Sequence, residues 1–176
     1  MLKEGSAVAR VNSVLDTLTI WLAGFGGVVL AAVALMTFIS IIGRELIFFG
    51  LGPIRGDFEL VEVGAAIAVF SFLPYCQMRR GHMTVDLVIA PMSTRIFNLS
   101  SLLGDIAISA FAVLIAWRLW LGLWEKVAYN ESTMILGMPI WYGFALSMVG
   151  AVLFACASLF SIWKDIHLMA RGIRIT

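Results

Sequence analysis

Residues 19–43 form an apolar run that contains no charged side chain. About 20 apolar residues in a helix are enough to cross the hydrocarbon core of a bilayer, so this run predicts a membrane-spanning helix. It is much longer than the apolar part of a cleavable signal peptide, which has about 7–15 residues, and we expect it to remain as an anchor. The chain is 61% hydrophobic and 13% charged, whereas soluble domains have about 25% charged residues. Both observations predict an integral membrane protein.

Three more apolar segments follow, and together they predict an all-α membrane protein with four transmembrane helices in a single domain. The expected spans are residues 18–43, 58–78, 98–122 and 140–163. Two further segments, residues 1–17 and 84–97, have the pattern of amphipathic helices that lie at the membrane interface. For residues 1–17 a frayed tail is the alternative, and residues 164–176 form a basic tail.

The positively charged residues predict which side of the membrane each loop faces. Eight lysines and arginines belong to the termini and the central loop, three belong to the other two loops, and Arg118 lies within a span. Cytoplasmic loops carry an excess of such residues, so both chain ends are expected in the cytoplasm. The adjacent pair Arg79 and Arg80, directly after the second span, is the strongest part of this signal.

Four charged side chains lie within or at the start of the predicted spans. Glu59 occupies the first turn of the second span, where a carboxylate interacts favourably with the helix dipole. Glu62 lies one turn deeper and is expected to pair with a neighbouring helix or a partner protein. Asp105 should face another helix or water rather than lipid. Arg118 can extend toward the interface or make a polar contact of its own.

Sequence motifs for catalysis or cofactor binding are absent. No glycine-rich loop ends in Gly-Lys-Ser/Thr, and the only histidines, His82 and His167, lie outside the spans, where they cannot hold a haem between helices. We therefore expect no enzymatic activity, no cofactor, no metal and no nucleic-acid partner. A stand-alone four-span transporter or channel, in which Glu62 and Asp105 handle ions, is an alternative, as is an unrelated accessory membrane subunit.

Two short motifs are more specific than composition. The central loop contains Arg79-Arg80-Gly81-His82-Met83-Thr84-Val85-Asp86, and the entrance to the fourth span contains Leu136-Gly137-Met138-Pro139-Ile140-Trp141. Together with the acidic start of the second span, these motifs resemble the small membrane subunit of tripartite ATP-independent periplasmic (TRAP) transporters, the DctQ-like family. The resemblance covers about residues 12–166.

The resemblance implies a complex of three components in the bacterial inner membrane. A large membrane subunit (M-type) moves the substrate, typically an organic acid such as a dicarboxylate or a sialic acid, by symport with sodium. A periplasmic substrate-binding protein captures that substrate. The small subunit is then a scaffold and anchor for the large subunit and helps to dock the binding protein. On this reading it has no substrate site, and its other partners are membrane lipids.

The resemblance also implies structural and interface roles. Residues of the central loop would fix the second span to the interfacial helix, with Gly81 at the sharp turn. Residues at the entrance of the fourth span would set its position, with a proline suited to the first helical turn. Charged residues within the spans would make polar contacts inside the bundle or with the large subunit. The candidates are Glu59, Glu62, Arg79, Arg80, Gly81, His82, Asp86, Asp105, Arg118, Gly137, Pro139 and Trp141.

Overall fold

The computed structural model describes residues 2–79 and 94–170, and almost all of them are helical. The elements are α1 (Leu2–Glu45), one 3-10 turn (Ile47–Phe49), α2 (Asp57–Met78), α3 (Thr94–Ala128) and α4 (Trp141–Ala170). Within these ranges there is no β-strand, and the four helices are long and apolar enough to cross a membrane. The prediction of an all-helical protein with four potential spans is therefore confirmed.

The four helices pack in the order α1, α2, α4, α3. Helix α2 packs against both α1 and α4, and α3 packs against α4, whereas α1 and α4 touch only slightly. Consecutive helices are antiparallel, since Ser40 near the end of α1 contacts Asp57 at the start of α2. Residues 46–56 and 129–140 therefore lie together at what we call the short-loop end. The opposite end, where α1 begins and α4 ends, is called the termini end.

Most of the apolar surface of the helices is not covered by the chain itself. Only 11% of the most apolar window of α1 is buried, and even in α4 the figure is 39%. Large side chains such as Trp21, Phe38 and Phe111 are exposed, whereas the buried positions are mainly alanine and serine. Small residues at helix contacts and large apolar residues outside are expected where lipid or another membrane subunit covers the surface.

Helices α2 and α4 approach each other closely at Gly150. A Cβ atom added to Gly150 would lie 2.2 Å from the carbonyl oxygen of Phe70. Pro74, four residues later in α2, has no N–H group to donate to that oxygen. The proline thus leaves a carbonyl without its helical partner, and the glycine allows the backbone of α4 to pack directly against it.

Three of the helices continue past the predicted spans. Helix α1 has no break near residue 18; its 44 residues span about 66 Å, which is twice the roughly 30 Å of a hydrocarbon core. Helix α3 already begins at Thr94, so no boundary exists at residue 98. Helix α4 extends to Ala170, into the predicted basic tail. Extending an existing helix by one residue costs far less free energy than starting a new helix. Hydropathy therefore marks the membrane span but not the ends of the helix.

Candidate functional site

At the short-loop end, the carboxylate of Glu59 binds the loop between α3 and α4. The backbone N–H groups of Ile135 and Leu136 donate to its two oxygens at 2.7 and 3.0 Å. Glu59 is also in the first turn of α2, where the helix dipole favours an acid. The sequence suggested only the dipole; the structure adds a contact that ties the start of α2 to a loop 76 residues away in the chain.

The bound loop is closed by its own hydrogen bonds. The backbone of Thr133 donates to the carbonyl of Met138 at 2.9 Å, and its hydroxyl accepts from the N–H of Met138 at 3.1 Å. Gly137 has φ +63°, a left-handed conformation that favours glycine. Pro139 forms an isolated bridge with Ser132. It precedes the first residue of α4, Trp141, whereas the sequence predicted it in the first helical turn. The loop is therefore a compact turn that leads into α4.

The other short loop is fixed to α1 and α2 by Ser40 and Asp57, which the sequence analysis did not single out. The hydroxyl of Ser40 donates to Asp57 Oδ2 at 2.6 Å and accepts from the N–H of Ile54 at 3.2 Å. Arg44 adds an ion pair with Asp57 at 3.7 Å. A serine near the end of an apolar span and an acid at a helix start were visible in the sequence, but nothing indicated that they would meet.

At the termini end, Arg79 joins α2 to α1. Its guanidinium lies 3.3 Å from Asp16 and 5.4 Å from the centre of the Tyr75 ring. Arg79 is exposed, and exposed ion pairs contribute little stability, about 0–1 kcal/mol. The other central-loop candidates, Arg80, Gly81, His82 and Asp86, lie outside the described residues, as does most of the predicted interfacial helix.

A polar group is buried between the helices near the termini end. Asp105 on α3 is 2% exposed and accepts a hydrogen bond of 3.3 Å from the side-chain amide of Gln77 on α2. Asn98 and Asp165 are buried in the chain as well. Asp105 therefore has a partner inside the chain. Gln77 and Asp165 were not singled out from the sequence, since a lone amide and an acid beyond the last apolar run gave no distinguishing signal.

The remaining candidates face outward. Glu62 is exposed and lines a groove between α2, α3 and α4. Arg118 is exposed, with its guanidinium 5.8 Å from the ring centre of Trp117. Trp141 is the first residue of α4, and its ring lies 4.2 Å from that of Tyr142. These residues do not converge on one another as catalytic residues would.

The described residues contain no group of three or more His, Cys, Asp or Glu side chains placed to hold a metal ion. A second groove, between α1 and α4, has a volume of about 730 Å³ and is lined by apolar side chains such as Trp21, Phe25 and Leu153, together with Cys156. Such a lining suits acyl chains or an apolar helix. It lacks the convergent polar groups that orient a small polar ligand.

The geometry first defines the class of protein. The chain is a multi-pass α-helical membrane protein whose polar contacts hold its own helices and loops together. The family model of the DctQ component of tripartite ATP-independent periplasmic transporters matches residues 33–168. The chain therefore belongs to this family and is a small membrane subunit of a TRAP transporter, which confirms the resemblance noted above. The family is one of transporter subunits and not of enzymes. Searches among curated proteins and among solved structures gave no significant match.

Proposed function

We propose that this chain is the stationary scaffold of a sodium-coupled, binding-protein-dependent transporter for organic acids in the bacterial inner membrane. It anchors the large transport subunit, which binds substrate and uses the sodium gradient, and it offers a docking surface to the periplasmic substrate-binding protein. The observation that carries the proposal is the family membership over residues 33–168, combined with an exterior that is mostly apolar and uncovered.

The polar contacts of the described residues support a scaffold better than a transport path. Glu59, Asp57 and Asp105 are each engaged with another part of the same chain. A stationary body needs helices that do not shift relative to one another, and these contacts tie α2 to α1, to α3 and to the loop before α4. A transport path would instead need polar groups that line a continuous cavity near the middle of the bilayer.

The short-loop end is the proposed docking surface for the binding protein. The positive-inside bias favours a periplasmic position for this end. Its two loops are held by Glu59 and Ser40, while Phe48, Phe49 and Met134 are almost fully exposed. Exposed apolar side chains on a fixed backbone are typical of protein–protein contact surfaces.

The test is a pull-down of the tagged chain from native membranes in mild detergent, followed by identification of the co-eluting proteins. The expected result is a large polytopic membrane protein, with a soluble periplasmic protein captured in addition when its substrate is supplied. Vesicles that contain this chain alone should show no uptake of sodium or of organic acids. If the chain elutes alone and still moves an ion, the scaffold proposal is wrong.

A further inference from the structure

The groove between α2, α3 and α4 lies toward the short-loop end and differs from the apolar groove beside α1. It has a volume of about 280 Å³, and most of its lining is apolar, including Val63, Phe70 and Leu119. Two polar side chains interrupt this lining, Glu62 from α2 and Ser147 from α4. Both belong to helices that are long and apolar enough to cross a membrane.

Ser147 differs from three other buried serines of the helices. It is 2% exposed, and its hydroxyl oxygen has no hydrogen-bond partner within the described residues. In contrast, Ser71, Ser158 and Ser161 each donate to a carbonyl of their own helix, at 2.7 to 3.1 Å. A buried hydroxyl without a partner costs about 1–3 kcal/mol. Because Ser147 lines the groove, a donor that reached this oxygen from the groove would remove that cost.

Glu62 supplies a charge at a similar depth. Its carboxylate has no hydrogen bond or ion pair with any residue in the described ranges. Glu62 follows the start of α2 by five residues and Ser147 follows the start of α4 by six, which places them about 8 and 9 Å along the helix axes. An ionisable side chain at membrane depth normally pairs with an opposite charge.

Among the described residues at the same end, no cation forms an ion pair with Glu62, and two cations pair with other acids. Arg44 pairs with Asp57, and Lys126 lies 2.6 Å from Glu131. Arg118, next to the groove residue Leu119, has its guanidinium near the ring of Trp117. Arg55, in the loop before α2, is exposed and forms no ion pair with Glu62 either. No cation in the described ranges thus pairs with Glu62, which leaves its counter-charge to a partner.

We propose that this groove receives an apolar transmembrane helix of the large TRAP subunit, and that one arginine or lysine on that helix inserts between the Glu62 carboxylate and the Ser147 hydroxyl. The inference rests on the proposed scaffold function. Both polar groups accept hydrogen bonds, and both cationic side chains carry several donors. The groove is smaller than the roughly 300–1,000 Å³ of small-molecule sites, which suits a side chain.

The depth of Glu62 and Ser147 in the membrane favours a cation on a transmembrane helix over the amine of a phospholipid headgroup. Trp141 and Tyr142 stand at the start of α4, where aromatic residues mark the headgroup level. Glu62 and Ser147 lie more than one helical turn further into the span, below the position of a phospholipid amine. A cation fixed to a transmembrane helix reaches that depth directly, whereas a headgroup would have to leave the interface.

The occupant can be identified by a photo-crosslink. p-Benzoylphenylalanine replaces Ala66, an exposed groove residue, and native membranes are irradiated before mass spectrometry. The expected product joins this chain to a transmembrane segment of the large subunit that carries an arginine or lysine within two turns of the crosslinked residue. A phospholipid adduct, a second copy of this chain, or a partner segment without such a cation would each overturn the proposal.

Substitutions then test the charge. Glu62→Gln should lower the large subunit recovered in a pull-down by about tenfold, and Ser147→Ala should lower it by a few fold. The matched controls are Glu45→Gln, an exposed acid at the end of α1, and Ser161→Ala, a buried serine that bonds only within α4. Both controls should recover the wild-type amount.

The Tm of the isolated chain distinguishes a variant that fails to dock from one that fails to fold. Because the exposed Glu62 carboxylate has no internal partner in the described structure, Glu62→Gln should leave the Tm of the isolated chain unchanged. Ser147→Ala removes a buried hydroxyl that has no partner there and should raise the Tm. Glu62→Arg should abolish recovery, and exchange of the crosslinked partner cation for glutamate should restore it. If Glu62→Gln recovers the wild-type amount, this proposal is wrong while the scaffold function stands. If the wild-type chain recovers no large subunit, both are wrong.

Discussion

The contact between Gly150 and the carbonyl of Phe70 allows a quantitative test of how α2 and α4 pack. In Gly150→Ala the new Cβ atom would lie 2.2 Å from that oxygen and 2.6 Å from the carbonyl carbon. Real Cβ atoms essentially never come within 3.0 Å of another heavy atom, so the helices would have to separate by about 0.8 Å. Both obstructing atoms belong to the backbone, and no side chain can rotate away.

The expected loss of stability follows from two opposing terms. Overpacking of a tight contact costs about 1–3 kcal/mol, and the upper part of that range applies here because backbone atoms are involved. Replacing glycine by alanine within a helix returns about 1 kcal/mol. The net destabilisation is therefore about 2 kcal/mol, which corresponds to a decrease in Tm of roughly 4–8 °C for a chain of this size.

The assay is thermal unfolding of the purified chain in detergent, followed by tryptophan fluorescence. Gly27→Ala and Gly104→Ala are matched controls, since nothing lies within 4 Å of the added Cβ atom at either position. Both controls should raise the Tm slightly through helix propensity alone. A Gly150→Ala protein that is as stable as these controls would refute the close backbone contact.

Three further predictions concern the polar contacts. Glu59→Gln should accelerate amide hydrogen exchange and proteolysis in residues 133–138, because a neutral amide cannot accept both backbone hydrogen bonds with its two terminal atoms. Ser40→Ala should accelerate exchange at the amide of Ile54 by about tenfold, since the acceptor of that N–H is removed. Asp105→Asn should lower the Tm of the chain and, through it, the amount of large subunit that co-purifies, because a buried polar contact is altered.

The first two of these have a control in the same chain. Glu45→Gln changes an exposed acid at the short-loop end and should leave loop exchange unaltered. Thr37→Ala removes a hydroxyl that bonds only within α1 and should not affect Ile54. If Asp105→Asn matches the wild type in Tm, co-purification and transport, the contribution assigned to Asp105 is wrong.

The sequence predicted the number and kind of helices because an apolar run of the right length has few alternatives in a membrane. Helix α2 begins at Asp57, within one residue of the expected start at 58. The ends of α1 and α3 could not be predicted in the same way. Residues such as Asp16 are polar enough to end a hydropathy window, yet they continue the helix and pair across to Arg79.

The contacts of the site were harder to predict from the sequence, because most of them join distant parts of the chain. Glu59 was singled out for a local reason, its place at a helix start, while its partners lie 76 and 77 residues later. Ser40 and Ser147 are ordinary small residues of apolar helices by sequence. One is fully bonded and the other is not, and only the packing of neighbouring helices distinguishes them.

The packing order α1, α2, α4, α3 also means that the chain consists of two helical hairpins, α1–α2 and α3–α4. They are joined mainly by the contact between α2 and α4. Further contacts between the hairpins join Gln77 to Asp105 and Glu59 to the loop before α4. A displacement of one hairpin therefore reaches the other mainly through the α2–α4 contact and these polar contacts. At one point of the α2–α4 contact, the backbone of Gly150 lies directly against the Phe70 carbonyl. Side chains can change rotamer when two helices shift, but no side chain separates the two backbones here, so this contact leaves the helices little freedom to move relative to each other.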